Sequence, residues 1–229
     1  FVLVWRDFAQ HKPSIIVASG GYVSVPVLLV CWLRRIPSII FSGDAALGWA
    51  TRLMAPLTTK ATIAFDEARD QISGTPTQLT GYPIRPAFTN PDPAAGRLFA
   101  NVRGNRPLVL VMGGSQGAHS INIAMVEALK FLSEKKEDLH ITHQTGEVDF
   151  ERVSKEYKHK NFSSEIRPFI EDMGEQYRKA SMVICRAGAT TIAEINACGK
   201  MSVLVPYPHA AHNHQEKNAR ILESANAGE

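Results

Sequence analysis

Short apolar runs alternate with longer amphipathic segments over most of the chain. The runs are rich in Val, Ile and Leu and end at glycine, proline or polar residues, as buried strands do. In the longer segments the apolar residues recur every three or four positions, which is typical of helices that cover a sheet. This alternation predicts parallel strands joined by crossover helices, so we expect an α/β protein.

The predicted elements cover most of the chain. The predicted strands are Ser14–Ser19, Pro37–Ser42, Ala61–Phe65, Gln78–Gly81, Leu108–Met112, His140–Gln144, Glu165–Phe169, Met182–Cys185 and Ser202–Pro206. The predicted helices include Val25–Arg35, Ile121–Ser133, Phe150–Lys158, Asp172–Ala180, Thr190–Cys198 and Gln215–Ser224.

The stretch from Tyr82 to Arg106 interrupts the alternation with several prolines and scattered polar residues, which is typical of a linker between domains. On each side of it a strand leads through a pair of glycines into a helix, at residues 20–21 and 113–114. Two doubly wound, Rossmann-like domains are the simplest arrangement that fits. The expected division is a first domain at 1–84, a linker at 85–106 and a second domain at 107–229, with both domains incomplete.

Composition supports a folded chain. The 229 residues are 45% hydrophobic and 21% charged, and the formal net charge is only +3, which excludes disorder for the bulk of the chain. The longest apolar run, Val23–Leu33, is too short for a bilayer span of about twenty residues. The three cysteines have no metal-binding spacing, so we expect buried thiols in a reducing compartment.

Positive charge is concentrated in the first sixty residues. Only Asp7 and Asp44 oppose the basic side chains there, whereas the part after the linker is close to balanced. The basic residues are Arg6, Lys12, Arg34, Arg35, Arg52 and Lys60. An anionic partner is therefore expected to favour the first half of the chain.

The glycine loop, Gly113–Gly117, lies between a fully apolar strand and a helix. Glycines let a ligand approach the backbone closely, and the free N–H groups that open a helix favour phosphate. The loop lacks both the spacing of a dinucleotide-binding fingerprint and the Gly-Lys-Ser/Thr of a P-loop. We interpret it as a diphosphate site; the alternative is a tight turn that binds nothing.

A second strand-to-helix loop carries an acid. After Cys185 the chain turns at Gly188, and Glu194 follows about one turn into the next helix. Its carboxylate could accept hydrogen bonds from sugar hydroxyls beside the phosphate site. The alternative is an acid in the first helical turn that complements the helix dipole.

The segment from Pro206 to Ala219 contains three histidines, which raises the question of zinc. No cysteine or carboxylate pattern completes such a site, and no Asp-x-Asp pair is present to hold a divalent cation on a nucleotide. We therefore expect no metal and no cofactor. Helix termini and cationic or amide groups would have to stabilise a leaving diphosphate.

Six blocks of the sequence, in register over nearly the whole chain, resemble the MurG family of bacterial UDP-N-acetylglucosamine transferases, which convert lipid I to lipid II in peptidoglycan synthesis. The blocks are Gly20–Ser24, Gly81–Arg85, Gly113–Ala118, Phe169–Met173, Arg186–Glu194 and Gln215–Ala219. The resemblance implies a glycosyltransferase-B fold and an inverting, metal-independent hexosyltransferase.

The resemblance also implies the partners. They would be UDP-N-acetylglucosamine, undecaprenyl-pyrophosphoryl-N-acetylmuramyl-pentapeptide and an anionic membrane surface, with no nucleic acid. The protein would act as a peripheral protein on the cytoplasmic face of the bacterial membrane.

Most of the implied substrate-binding residues lie in the second domain. Arg85, Ser115 and Gln116 would lie at the diphosphate, and Phe169, Ile170 and Met173 at the uracil, with Ile170 acting through its backbone. Ala189, Thr190, Thr191 and Glu194 would surround phosphate and ribose, and Gln215 and Asn218 would contact the N-acetylglucosamine. The alternatives are a core stripe for the uracil set and a surface ion pair for Arg85.

The implied acceptor side and membrane patch lie in the first domain. Gly20, Gly21 and Tyr22 would bind the lipid pyrophosphate, and Trp32, Arg34, Arg35 and Arg52 would touch the membrane. The alternative for this patch is a buried helix with a solvated basic end.

The sequence departs from the family at several places. It has Phe41–Asp44 where His-Glu-Gln-Asn is common, so Asp44 would stand in for the asparagine, and His119 replaces a frequent arginine. The chain starts after the family's N-terminal glycine-rich loop and its histidine, so the catalytic base is expected outside it. Three alternatives stay open: a UDP-N-acetylglucosamine epimerase, a transferase for another lipid, and a non-catalytic UDP-sugar-binding fragment.

Overall fold

The computed structural model describes residues 1–89, 106–210 and 213–225, which fall into two units. The described residues within 1–83 and 208–220 form the first unit, and the other described residues form the second. Most of the expected linker lies outside the described residues. The expected second domain includes residues 208–220, which the structure groups with the first unit, so the expected domain limits remain a prediction.

A four-stranded parallel sheet forms the first unit, with the strands side by side in chain order. The strands are Ile16–Ala18 (β1), Ser38–Ser42 (β2), Lys60–Ile63 (β3) and Thr77–Leu79 (β4). The helices are Val2–His11 (α1), Ser24–Arg34 (α2) and Trp49–Met54 (α3), with 3₁₀ turns at Ala55–Leu57 and Asp66–Gln71.

A five-stranded parallel sheet forms the second unit, in the order β7-β6-β5-β8-β9. The strands are Leu108–Met112 (β5), His140–Gln144 (β6), Ser164–Arg167 (β7), Met182–Cys185 (β8) and Met201–Leu204 (β9). The helices are His119–Ala128 (α4), Phe150–His159 (α5), Met173–Lys179 (α6) and Ala189–Cys198 (α7), with 3₁₀ turns at Pro86–Phe88 and Ser133–Lys135. Helix α8 (His214–Ser224) starts among residues of the first unit and ends among those of the second.

The central strand β5 is apolar throughout because both of its faces are covered. Leu110 packs in a core cluster with residues of α6 and α7, whereas Val111 packs with residues of α4 and α5. Successive side chains of a strand point to opposite faces, so the two clusters lie on the two sides of the sheet. The expected α/β class with two parallel sheets is confirmed; the strand order reverses in the second sheet, as in a doubly wound domain, and follows chain order in the first.

All nine predicted strands are present, each within two residues of its predicted limits. The strand predicted to reach Phe169 ends at Arg167, because Pro168 has no N–H for a sheet and its carbonyl accepts from Gly146 instead. The helix predicted to reach Ser133 ends at Ala128, where the bonding changes to the i→i−3 pattern of a 3₁₀ turn.

The expected burial of all three cysteine thiols is confirmed. Within the described ranges, every helix is too short or too polar to cross a bilayer.

Candidate functional site

The candidate site lies at the carboxyl ends of β5 and β8. The chain passes from β5 to β6 on one side and later returns to β8 on the other, so the two strands flank the point where the strand order reverses. Doubly wound sheets bind ligands at this point, because the loops on either side of it separate and leave a crevice. The glycine loop follows β5, and the loop that carries Gly188 follows β8.

The glycine loop is a tight turn with exposed polar residues at its tip. The N–H of Gly117 donates to the carbonyl of Gly114 at 3.0 Å, and both residues have the positive φ that favours glycine. Ser115 and Gln116, between them, are exposed. The loop leads directly into α4, whose first N–H groups have no partner within the helix.

A close contact between two glycines fixes the loop in place. A Cβ on Gly117 would lie 1.9 Å from the carbonyl oxygen of Thr145, and a Cβ on Gly146 would lie 2.1 Å from that of Gln116. Both distances are far below van der Waals contact. The loop after β6 is therefore packed backbone against backbone on the glycine loop.

A buried polar network supports this contact. Asn122 of α4 donates through Nδ2 to the Thr145 carbonyl at 2.9 Å and to the Asp149 carboxylate at 2.8 Å. His119 also lies 2.9 Å from that carboxylate. Although burial acts to raise it, the bonds from Asn122 and His119 hold the pKa of Asp149 below its usual value. The start of α4 is thus tied to the loop after β6.

The hydrogen bonds of Asn122 also determine the tautomer of His143. Because Nδ2 of Asn122 is the donor, its Oδ1 must accept, so the N–H of His143 is on Nε2, 3.0 Å away. The hydroxyl of Tyr157 then donates to Nδ1 at 3.2 Å. Burial lowers the pKa of His143 to about 4, against the opposing charge of Asp149. The imidazole is neutral at pH 7.

Glu194 is buried in α7 and bound to Arg85. One of its carboxylate oxygens lies 3.1 Å from Nη2 of Arg85. The side chain of Glu194 is 7% exposed and that of Arg85 is 64% exposed. Burial raises the pKa of Glu194, and Arg85 opposes this. Glu194 is the sixth residue of α7, beyond the first turn in which the helix dipole acts, so the alternative of a dipole-complementing acid is wrong.

The other predicted phosphate and ribose residues open α7. Gly188 caps the helix with extended backbone. Ala189 is buried, Thr190 is exposed and Thr191 is half-buried. Ala189, Thr190 and Thr191 thus lie in the first turn of α7, one turn before Glu194. The start of this helix is at the same edge of the sheet as the glycine loop.

The predicted uracil residues divide by exposure. Ile170 and Met173 pack in a core cluster of the second unit, whereas Phe169 is 52% exposed. The side chains of Ile170 and Met173 thus form the core stripe that was the alternative. A contact between Ile170 and a base would have to use its backbone, as the family resemblance implies.

In the first unit, two of the predicted residues meet. Nδ2 of Asn218 donates to Oδ1 of Asp44 at 2.9 Å, and Oδ1 of Asn218 accepts from the N–H of Ala45 at 2.9 Å. Asn218 is fully buried. Gln215, one turn earlier on α8, is half-buried and also belongs to the first unit. The structure therefore groups Asn218 and Gln215 with the predicted acceptor residue Asp44, and Glu194 with the other unit.

The predicted pyrophosphate loop of the acceptor side follows β1. Gly20 and Gly21 both have positive φ, at 82° and 79°. A Cβ on Gly20 would lie 2.7 Å from Oγ1 of Thr51. Tyr22 is 82% exposed. The turn therefore requires glycine and leaves an aromatic ring in solvent.

The predicted membrane patch is exposed at the end of α2. The Trp32 side chain is 53% exposed, and Arg35 is exposed in a left-handed backbone conformation. The guanidinium of Arg34 lies 4.1 Å from the ring centre of Trp5, and Arg52 donates to Gln71 at 2.7 Å. Aromatic and cationic groups are exposed together at this end of α2, whereas Leu28, Val30 and Cys31 are buried, so both the membrane patch and a buried helix with a solvated basic end fit the observed exposure.

Among the described residues, no three His, Cys, Asp or Glu side chains converge as metal ligands.

A comparison with known protein families identifies the family of this chain. The model of the glycosyltransferase family 28 C-terminal domain matches residues 108–229, from the first residue of β5 onward. The chain belongs to glycosyltransferase family 28.

Two relatives of this family 28 chain share one name, UDP-N-acetylglucosamine--N-acetylmuramyl-(pentapeptide) pyrophosphoryl-undecaprenol N-acetylglucosamine transferase. The protein of Myxococcus xanthus is 42% identical over 227 residues, which are 99% of this chain and 58% of the relative. That of Thermodesulfovibrio yellowstonii is 42% identical over 96% of this chain and 60% of the relative. The chain spans less than two thirds of the length of these relatives.

Solved structures agree with the fold. The crystal structure of Acinetobacter baumannii MurG superposes with a TM-score of 0.77 at 29% identity, over 99% of this chain and 62% of that one. A UDP-GlcNAc 2-epimerase from Neisseria meningitidis, bound to UDP-GlcNAc, gives 0.62 at 12% identity, over 97% and 71%. The second likeness shows the fold alone. The predicted resemblance to the MurG family and the predicted glycosyltransferase-B fold are confirmed.

One charged residue of this family 28 site lies in a matched block but was given no role from the sequence. Arg186, just after β8, donates to the carbonyls of Val205 and Pro206 at 3.0 and 3.1 Å and to the hydroxyl of Ser120 at 2.6 Å. It joins the loop after β9 to the start of α4. The sequence signal from which a role for Arg186 could have been predicted is its position directly after an apolar strand.

We predict that Gly117→Ala destabilises the fold by at least about 2 kcal/mol, because the new Cβ combines a positive φ with a backbone clash. Urea unfolding measures this loss. Gly188→Ala is the matched control, since Gly188 has negative φ and a Cβ there would lie 3.9 Å from its nearest neighbour, Oγ1 of Thr191. This substitution should cost less than about 1 kcal/mol. Equal losses in the two variants would contradict the packing described for the loop.

We also predict a pH-dependent loss of stability from His143. Its pKa is about 4 in the folded chain and 6.5 ordinarily, so below pH 6.5 the unfolded chain takes up a proton that the folded chain does not. Stability should fall by roughly 2 to 3 kcal/mol from pH 7 to pH 4.5 through this group. Urea unfolding at the two pH values should show a smaller fall in His143→Gln than in the parent. His159→Gln, at an exposed histidine of α5, should keep the parental fall.

Proposed function

We propose that the protein to which this chain belongs transfers N-acetylglucosamine from UDP-N-acetylglucosamine to lipid I. The observation that carries the proposal is the position of the glycine loop and of Glu194. Each follows one of two adjacent parallel strands, β5 and β8, at the point where the strand order reverses. Family membership and 42% identity to transferases of that name support this substrate.

The glycine loop would bind the diphosphate. Its tip carries the exposed residues Ser115 and Gln116, and it leads into the N–H groups that open α4. These donors and the positive end of the helix favour the charge that builds up on a leaving diphosphate. The backbone contact between Gly117 and Gly146 keeps the donors in position before the ligand arrives.

Glu194 and Arg85 would exchange partners when the nucleotide sugar binds. The guanidinium of Arg85, which is exposed and lies 4.7 Å from the ring centre of Phe88, would turn from Glu194 to a phosphate oxygen. The buried carboxylate of Glu194, which also accepts from Tyr177, would lose the Arg85 donor, and the two ribose hydroxyls would replace it. Thr190 and Thr191, in the first turn of α7, would complete the phosphate and ribose contacts.

The transfer would invert the configuration of the sugar. A general base takes the proton of the acceptor hydroxyl, and the oxygen attacks the anomeric carbon. The bond from that carbon to the phosphate oxygen breaks, and UDP leaves with the electron pair. We place the base in the part of the relatives that this chain does not span, and we expect no metal or cofactor in the step.

The acceptor would bind to the first unit. The loop at Gly20–Tyr22 would hold the lipid pyrophosphate, with Asp44 also on the acceptor side. Gln215 and Asn218 would contact the N-acetylglucosamine, and Asn218 donates to Asp44 at 2.9 Å. The surface with Trp32 and Arg35 would rest on an anionic bilayer at the cytoplasmic face of the membrane.

We predict that Glu194→Gln lowers the affinity for UDP-N-acetylglucosamine about tenfold. The amide keeps the shape of the side chain but accepts more weakly from ribose hydroxyls than a carboxylate does. Isothermal titration calorimetry measures the change. Glu127→Gln, at an exposed acid of α4, is the control for the loss of one charge and should bind as the parent does. Equal affinities of Glu194→Gln and the parent would refute the ribose contact.

Turnover separates the proposed reaction from its alternatives. The full-length protein should move radiolabelled N-acetylglucosamine from UDP into the lipid fraction when lipid I is supplied. Inversion of the sugar at C2 without a lipid acceptor would instead indicate an epimerase. Binding of UDP-N-acetylglucosamine without either reaction would indicate a binding module.

We predict that Arg35→Gln weakens binding to vesicles containing anionic phospholipid about fivefold, because each basic side chain near such a surface contributes about 1 kcal/mol. Co-sedimentation at physiological salt measures this. Lys155→Gln removes an exposed charge from α5 of the second unit and should bind as the parent does. Equal binding of all three proteins would place the membrane contact elsewhere.

A further inference from the structure

Gln144, the last residue of β6, forms a bridge between two loops. Its Nε2 donates to the carbonyl of Gly114 in the glycine loop at 2.8 Å. Its Oε1 accepts from the backbone N–H of Ile170 at 2.8 Å. The side chain is buried, with only 2% of the residue exposed.

The partners of Gln144 leave one orientation for its amide. A carbonyl only accepts and a backbone N–H only donates, so the NH₂ group must face Gly114 and the oxygen must face Ile170. The Gly114 carbonyl also accepts from the N–H of Gly117 at 3.0 Å. Gln144 therefore holds the carbonyl about which the glycine loop turns.

The backbone on both sides of this bridge is already fixed. The N–H groups of Thr145 and Gly146 donate to the carbonyls of Arg167 and Pro168, each at 3.0 Å. These bonds tie the loop after β6 to the segment that leads into residues 169–173. The side chain of Gln144 is thus held on a rigid base, and its two hydrogen bonds add a direct link between the glycine loop and the backbone at Ile170.

We propose that Gln144 is a positioning residue that couples the diphosphate site to the base site. The inference rests on the proposed function, in which the glycine loop binds the diphosphate, and on the backbone contact of Ile170 with the base that the family resemblance implies. Gln144 touches neither part of the nucleotide. Through one amide it sets the distance between the two backbone segments that do, and so it fits the site to a nucleoside diphosphate.

Two substitutions separate the two ends of the bridge. Gln144→Glu has nearly the same shape and still accepts from Ile170, but its carboxylate faces the Gly114 carbonyl as a second acceptor. Gln144→Leu removes both hydrogen bonds. Thr142→Val is the matched control on the same strand, because the buried hydroxyl of Thr142 has no hydrogen-bond partner among the described residues.

Titration calorimetry of the whole chain at pH 8, with UDP and with uridine in competition against UDP, tests the coupling. In Gln144→Glu we expect the affinity for UDP to fall about tenfold while that for uridine stays within twofold of the parent. In Gln144→Leu both affinities should fall. Thr142→Val should bind both ligands as the parent does.

The ratio of the two affinities distinguishes positioning from a merely structural role. A residue that only stabilises the fold would lower both affinities together or neither, so an unchanged ratio in Gln144→Glu overturns the inference. If only Gln144→Leu folds, parental affinity for uridine or for UDP in that variant overturns it. Failure of the parent to bind UDP would instead refute the proposed function, so the two failures are distinguishable.

Discussion

The contact between Gly117 and Gly146 is the constraint on which the candidate site depends. At this point two loops that follow neighbouring strands meet with no side chain between them, and each glycine lies against a carbonyl of the other loop. Because a Cβ on either would overlap that carbonyl, the two backbones lie closer than any other residue would permit. The position of the glycine loop is therefore set by β6, not by the loop's own exposed residues.

Buried polar side chains support this contact. Asn122 provides that support with bonds to the Thr145 carbonyl and to Asp149, and His143 completes it. Buried polar groups without partners cost about 1 to 3 kcal/mol each, so a network of this kind is stable only when its members are satisfied. This condition fixes the tautomer of His143 and keeps its ring neutral. The fold thereby fixes the first turn of α4, whose N–H groups face the proposed diphosphate.

Periodicity predicted the framework of the site, and it did so best where both faces of a strand are buried. The limits of β5 and β8 agree with the predicted ones at both ends, because an apolar strand between two helical layers leaves a run with sharp polar limits. Prediction failed at Phe169, where Pro168 ends β7, and at the end of the helix that starts at His119, where the bonding pattern tightens.

The contacts between side chains could not be predicted from the periodicity of the sequence. Asp44 and Asn218 are 174 positions apart, and no local pattern links them. Gln144 looked like the polar end of a strand, and only the structure shows that both ends of its amide are occupied.

Fold and side chains also carry different information about function. A UDP-GlcNAc 2-epimerase at 12% identity has a similar fold, so the crevice at the switch point follows from topology alone. What the crevice recognises depends on residues that topology leaves free, such as the buried Glu194 with its exposed partner Arg85.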